Sequence, residues 1–548
     1  MAVPRLVGDV PSGRLYIQNM SSFFKIYWQW IAIGLVASGG VVLIGGKTVL
    51  IVFVLVVISA TLFIKPMWLM YLLVPSLFLE AEQFSIYFGN WRGRGYHFLI
   101  GVLVVRMVWE FISKRITPSA PSGHLPQGRS RRIPSREGVG GVSGLDKALI
   151  AFLSVQAVAI LVSPDKMFSI KIWVLQVLLT LLFWCVRYFV KTSTEWKRLL
   201  NIFLISSVVE ALIGFWQVFA FYLQKTTGIV VRWGEVFHAQ ILQFGRPYGT
   251  FVEADWYGAF MAIPLMMSVV LMAGAQSKKT RAVYGVLGMV FGIAVIISGV
   301  RAAWIAVIVA SVVGVFVLRG TNGARTRRIG GRIPHPPPLL VKERGTTTPP
   351  SLPPQGGKMS HVLYGEYKHL VGLGSVCALV IVVLLAIASP TWVGQIGERF
   401  ISIFNPSTWA HEPRVATTQK AFELIAQSPI IGHGPGSYKI LGIVPDVDSS
   451  QYDYYGVYPY LTNYFLTVLH DSGIIGFAVF LWLLWEGVKF RARSYKGEGA
   501  AVVMGVVVLM IAYLITTGFW LGMTWFLFAL LCTNSSRTRR IGGRMAHE

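Results

Sequence analysis

IISGVRAAWIAVIVASVVGVFV, Ile296–Val317, is an apolar run of membrane-spanning length with a single charge, Arg301, close to one end. A spanning helix needs roughly 17–25 mostly apolar residues, and Arg301 interrupts the run where one such span ends and the next begins. A charge at the edge of such a helix costs on the order of several kcal/mol unless it is paired or lines a wet cavity. Arg301 is therefore read as a functional candidate rather than as a tolerated accident.

Comparable apolar runs recur on both sides of this one, near 28–46, 48–64, 66–82, 96–113, 146–163, 168–190, 199–224, 257–275, 282–299, 302–318, 369–388, 458–488, 499–516 and 519–533. Hydrophobic residues make up 54% of the chain and charged residues only 13%, a balance that soluble domains do not show. The expectation is an all-α polytopic integral membrane protein of about 12–14 transmembrane helices. The polar stretch Met1–Tyr27 lacks a small-residue cleavage site, so no removable signal peptide is expected.

The formal net charge of +25 raises the question of nucleic acid, and the location of the charge answers it. Lys and Arg gather in the loops and tails 114–136, 191–198, 278–281, 319–368, 489–496 and 537–544. That is the positive-inside distribution, for which anionic lipid headgroups are sufficient partners, and no nucleic-acid partner is expected. Threading the spans alternately puts every basic loop and both termini in the cytoplasm.

The resulting order is a cytoplasmic tail (1–27), N-terminal transmembrane helices (28–113) and a basic disordered loop (114–146). Transmembrane helices 147–318, with an outer loop 225–256, come next, then a Pro/Gly/Arg-rich cytoplasmic insert (319–368). A helix (369–388), a large extracytoplasmic loop (389–457), C-terminal helices (458–533) and a basic tail (534–548) complete it. Loop 389–457 is expected to form short amphipathic helices. RTRRIGGR occurs at both Arg325–Arg332 and Arg537–Arg544, with a looser relative at Arg129–Gly138, and such composition builds no core. Cys185, Cys377 and Cys532 fall in or beside apolar segments and form neither a metal nor a redox motif.

Candidate chemistry lies on the outer side. GRPYGTFVEADWYGAFMAIPL (Gly245–Leu265) carries Arg246, Glu253 and Asp255 into a span. SGVRAAW (Ser298–Trp304) places Arg301 two residues after Gly299, where small neighbours let a bulky anion approach. In the long loop, Arg414 opens a segment of helical periodicity that ends in GHGPGSY (Gly432–Tyr438). The glycines there allow a tight turn that could present amide N–H groups to an anion. His411 and His433 have no metal-ligand spacing. Finally, Thr462 and Asn463 begin a span in which His470–Asp471 follow two turns later.

This ordered set resembles the O-antigen ligase and polymerase superfamily. Its members show R-x-x-G-T-F entering a helix, an S-R-G-like turn, and a large periplasmic loop with an arginine before S-P-I-x-G-x-G. An H-N-x-x-L…G-x-x-G segment then follows. The counterparts here are Arg246–Phe251, Ser298–Arg301, Arg414 with Ser428–Gly434, and Asn463–Leu466 with Gly473–Gly476.

The resemblance implies a metal-independent, cofactor-free inverting glycosyltransferase of the bacterial inner membrane, with its active face extracytoplasmic. It would act in cell-surface polysaccharide synthesis. Its partners would be a lipid-linked oligosaccharide donor and a glycan, lipid-core or protein hydroxyl acceptor. Arg301 and Arg414 would clamp the leaving polyprenyl diphosphate, with His470, Glu253 or Asp255 as base. Arg246, Asp255, Thr462, Asn463 and His433 would bind substrate. Where the ligases carry a histidine before the Asn, this chain has Thr462, which cannot act as a base near neutral pH. The competing expectation is a multi-span transporter of a small anion such as bicarbonate.

Overall fold

The computed structural model describes residues 65–79, 85–88, 91–116, 144–228, 246–251, 253–314, 390–402, 405, 413–442, 461, 463–492, 498–516 and 522–533. The chain divides after Lys65, and everything below concerns its second unit, Pro66–Glu548. The expected spans 28–46, 48–64 and 369–388, the insert 319–368, His411 and Thr462 lie outside the described residues.

Seven of the described helices are long and apolar enough to cross a membrane. In chain order they are α1 (Gly95–Ile116), α2 (Gly144–Ala159, prolonged by a 3-10 turn to Val162), α3 (Lys166–Phe189), α4 (Ser193–Thr227), α5 (Ala254–Gly274), α6 (Lys278–Ser298) and α7 (Tyr464–Ala492). Pro66–Ser76, Arg301–Gly314, Glu498–Ala512 and Gly522–Cys532 are shorter apolar helices. The chain is thus an all-α polytopic membrane protein in its architecture, with one addition. Between two apolar helices, Ser85–Phe88 and Trp91–Arg94 pair antiparallel from Ser85↔Arg94 to Phe88↔Trp91.

Helix starts follow local chemistry. Thr192 and Glu195 form a capping box at α4, Asp165 caps α3 and Ser277 caps α6, each satisfying amides that a helix leaves open. Helix α5 is apolar all round and sits at the centre of the bundle against α6 and Glu498–Ala512. Phe260 on α5 meets Phe78 edge-on with ring centroids 4.9 Å apart, and Phe203 on α4 at 5.8 Å. Around this core, Val108, Trp109, Ile112, Val158, Leu161 and Trp485 stay exposed, as a lipid-facing surface requires. Among the described residues, the long loop contributes the helices Pro390–Ser402, Pro413–Gln427 and Tyr438–Leu441.

Candidate functional site

The geometry begins with a turn. Helix α6 ends at Ser298 because Gly299 adopts a left-handed conformation (φ 61°), and the chain re-enters a helix at Arg301. Arg246 lies across this turn: its Nε donates to the Ser298 carbonyl at 2.9 Å and its Nη2 to Asp255 Oδ1 at 2.5 Å. Arg301 Nη1 reaches Ser402 Oγ at 3.4 Å, and that hydroxyl donates to the Arg399 carbonyl at 2.7 Å. A Cβ placed on Gly299 would stand 3.6 Å from Arg399 Cδ and 3.7 Å from Arg246 Nε, so both side chains cover the turn. Trp304 and Phe400 pack beside it with centroids 5.7 Å apart.

Among the described residues, three guanidiniums and the carboxylate of Asp255 therefore meet at the Ser298–Arg301 turn. Arg399 registers their crowding: burial first, then the charges of Arg246 and Arg301, bring its pKa down to about 10, against a partial lift from Asp255. A bound anion relieves that repulsion and holds Arg399 protonated. Binding of sulfate, whose own charge is constant over this range, is accordingly expected to stay level between about pH 6 and 9 and to weaken as pH rises through about 10. Titration calorimetry of the purified protein across that range checks it; affinity falling already between pH 7 and 8 would contradict it.

Arg399 was not found from sequence, although it is the sole basic residue of the amphipathic helix Pro390–Ser402. Of the residues that were, Arg246, Asp255 and Arg301 come together. Glu253 occupies the N-cap position of α5, where its side chain makes no capping bond and its carbonyl accepts from Tyr257 N at 3.2 Å. Arg414 is the second residue of the helix Pro413–Gln427. Asn463 caps α7 by accepting from Leu466 N at 3.0 Å and donates to the Leu514 carbonyl at 2.9 Å.

The segment that carries Arg246 is plugged into α4. Gln217 Oε1 accepts from the Tyr248 and Gly249 amides at 3.1 and 2.8 Å, and its Nε2 donates to the Gly249 carbonyl at 2.8 Å. Glu210 accepts from the Thr250 amide at 2.6 Å. No side chain fits at Gly249, since a Cβ would collide with Glu210 Oε1. The G-T-F part of the Arg246–Phe251 motif thus anchors the turn, and Arg246 projects from it. A glutamate in the apolar middle of a spanning helix was the available signal for Glu210.

His433 and His470 form a second cluster. Helix α7 breaks at Gly473 (φ 61°, ψ −167°), so Ile474 and Ile475 cannot bond to the carbonyls of His470 and Asp471 as a continuous helix would. The long loop supplies the missing partners. Ile474 N donates to Pro429 O at 2.8 Å and Ile475 N to Ile430 O at 3.4 Å. In return His433 N donates to His470 O and Gly434 N to Asp471 O, both at 2.9 Å. Two interrupted helical bonds become four loop–helix bonds, the condition under which a broken helix is tolerated at membrane depth. The anion met by the glycine-rich amides is internal: Gly436 N donates to Asp471 Oδ2 at 2.9 Å.

Asp471 Oδ1 lies 2.8 Å from His470 Nδ1, which makes Nδ1 the donor and leaves Nε2 unprotonated in the neutral ring. Among the described residues Nε2 has no hydrogen-bond partner, and His470 is fully buried. Its ring stacks on His433 with centroids 5.1 Å apart and meets Tyr438 edge-on at 5.3 Å. His433 in turn donates from Nε2 to the Leu424 carbonyl at 2.7 Å. Ser169 on α3 donates to the Pro435 carbonyl at 2.8 Å, tying the turn to the bundle.

Residues 353–481 match the family model of the O-antigen ligases. The matched segment contains Arg399, Arg414, the GHGPGSY turn and His470–Gly476, and it excludes Arg246 and Arg301. No curated protein matches the chain. The match supports an O-antigen-ligase-type function and suggests a glycosyltransferase-like enzyme.

Proposed function

With residues 353–481 as a segment of the O-antigen ligase superfamily for a premise, we propose that the chain transfers a glycan from a polyprenyl-diphosphate donor to an acceptor hydroxyl. The reaction takes place on the extracytoplasmic face of the bacterial inner membrane, and both chain termini lie in the cytoplasm. The observation that carries the proposal is the convergence of Arg246, Arg301 and Arg399 on one turn, with the carboxylate of Asp255 beside them. Guanidinium groups gathered at a helix end suit a diphosphate, which they bind through paired N–H donors.

In the reaction, the acceptor oxygen attacks the anomeric carbon as the bond from that carbon to the phosphate oxygen breaks. Negative charge develops on the departing lipid diphosphate, where Arg301, Arg399 and, by resemblance, Arg414 stabilise it without reorganisation. Arg246 and its partner Asp255 border the same site. The acceptor proton passes to a base, with inversion at the sugar. His470 is assigned that role, because Asp471 fixes the tautomer that leaves Nε2 open. Glu253, at the start of α5 beside Asp255, is the alternative base. By resemblance, Thr462, Asn463 and His433 are assigned to substrate binding.

The test is the glycan profile of a strain lacking this chain, complemented with wild type, Arg301→Ala, Arg414→Ala or His470→Ala. Short lipid-linked units that wild type extends, and well-expressed arginine variants do not, identify a polymerase. Full-length polymer left unattached identifies a ligase. Unchanged glycans in every strain reject the transferase and leave anion transport as the reading to pursue.

A further inference from the structure

Glu210 lies in the middle of α4, 2% exposed, and no Lys, Arg or His pairs with it among the described residues. Among the described residues, its hydrogen bonds are with one residue. Oε1 accepts from the Thr250 amide at 2.6 Å, and Oε2 lies 2.8 Å from Thr250 Oγ1. The same Oγ1 lies 2.5 Å from the Phe78 carbonyl oxygen.

Counting hydrogens decides how these contacts are made. A carbonyl oxygen only accepts, so the single hydroxyl hydrogen of Thr250 goes to Phe78. The contact between Thr250 Oγ1 and Glu210 Oε2 then needs a second hydrogen, and only the carboxyl can supply it. Burying an acid in this form also avoids the cost of an unpaired buried charge. Tyr257, the other titratable side chain against this point, directs its hydroxyl to the Ala211 carbonyl at 3.5 Å. Gln217 is spent on Tyr248 and Gly249.

We propose that Glu210 is a positioning residue, held as a neutral carboxylic acid, that donates to Thr250 and thereby fixes the 246–251 turn from which Arg246 reaches the arginine cluster. The chain of contacts is short. Glu210 locks Thr250 through two bonds, and Thr250 locks the turn to Phe78, at the end of the helix Pro66–Ser76. Gly249 lets the backbone come close enough for both. Three residues before Gly249, Arg246 then meets Ser298 and Asp255. The functional weight of this role rests on the reading of the cluster as an anion site.

Glutamine separates this proposal from a role for a carboxylate. In Glu210→Gln the introduced amide can accept from the Thr250 amide through its oxygen and donate to Thr250 Oγ1 through its nitrogen, as the neutral acid does; alanine can do neither. Hydrogen–deuterium exchange of the full-length protein in detergent is measured at 248–250 for wild type, Glu210→Gln and Glu210→Ala, alongside inorganic pyrophosphate affinity. The expected result is wild-type protection in Glu210→Gln and protection reduced about tenfold or more in Glu210→Ala. Pyrophosphate affinity follows the same order. Infrared spectra at neutral pH show a carboxylic-acid C=O band in wild type that Glu210→Gln lacks.

Loss of protection in Glu210→Gln equal to that in Glu210→Ala overturns the neutral-acid assignment, as does absence of the band. Protection or pyrophosphate affinity unaltered in Glu210→Ala overturns the positioning role. Wild type that fails to bind pyrophosphate rejects the anion-site reading instead, and the exchange and infrared results still decide the state and role of Glu210.

Discussion

Replacing Arg301 with alanine is expected to lower glycan transfer by about 10²–10³-fold, the cost of removing one fixed donor from a site where charge develops in the transition state. The residue begins a helix directly after the Gly299 turn, and its Nη1 is turned toward Ser402 and the arginine cluster. Lysine at this position keeps the charge but loses the planar pair of donors, so Arg301→Lys should recover only part of the rate. The measurement is the initial rate of transfer from a purified lipid-diphosphate donor in detergent, with folding checked by thermal unfolding. A well-folded Arg301→Ala protein working within about threefold of wild type is incompatible with a transition-state role for this side chain.

The second large effect is on stability. Gly473→Ala should loosen the docking of the long loop by about 3 kcal/mol or more. The backbone at Gly473 adopts φ 61° and ψ −167°, a region open in practice to glycine alone. A Cβ there would also collide with both the carbonyl carbon and oxygen of Ile430. These are backbone atoms that cannot rotate away, and they belong to the bonds that replace the interrupted rungs of α7. Tryptic cleavage at Lys420 and Lys439 reports the undocking, with an expected rate increase of about a hundredfold, the equivalent of that free energy. Cleavage at the wild-type rate would mean that the backbone at residue 473 does not hold the loop.

How far these features are legible in the sequence depends on the range over which each is encoded. Spanning helices are encoded locally, so the apolar runs near 146–163, 168–190, 199–224, 257–275 and 282–299 appear as helices with ends moved by a few residues. The hairpin 85–94 is not legible in this way, because four-residue strands such as WRGR lack an alternating apolar pattern. Arg301 and Arg246 stand out because charge is rare beside spans. Arg399 does not, since one cation on an amphipathic surface helix has an ordinary solvated reading, and only the fold brings it over Gly299. GHGPGSY announces a turn, but the destination of its amides, the carbonyls and carboxylate of residues 470 and 471, is set more than thirty residues away. Glu210 and Gln217 are equally remote from the motif they hold.

The exchange of backbone bonds across Gly473 carries a consequence for biogenesis. While the ribosome is still making α7, the peptide groups of residues 429–434 have been translated but their partners at 470–475 have not. On the proposed extracytoplasmic placement, the loop is translocated ahead of that helix and waits with those groups bonded to water until insertion of α7 closes it. Maturation of this region is therefore ordered by the direction of synthesis, and the kinked helix serves as its keystone.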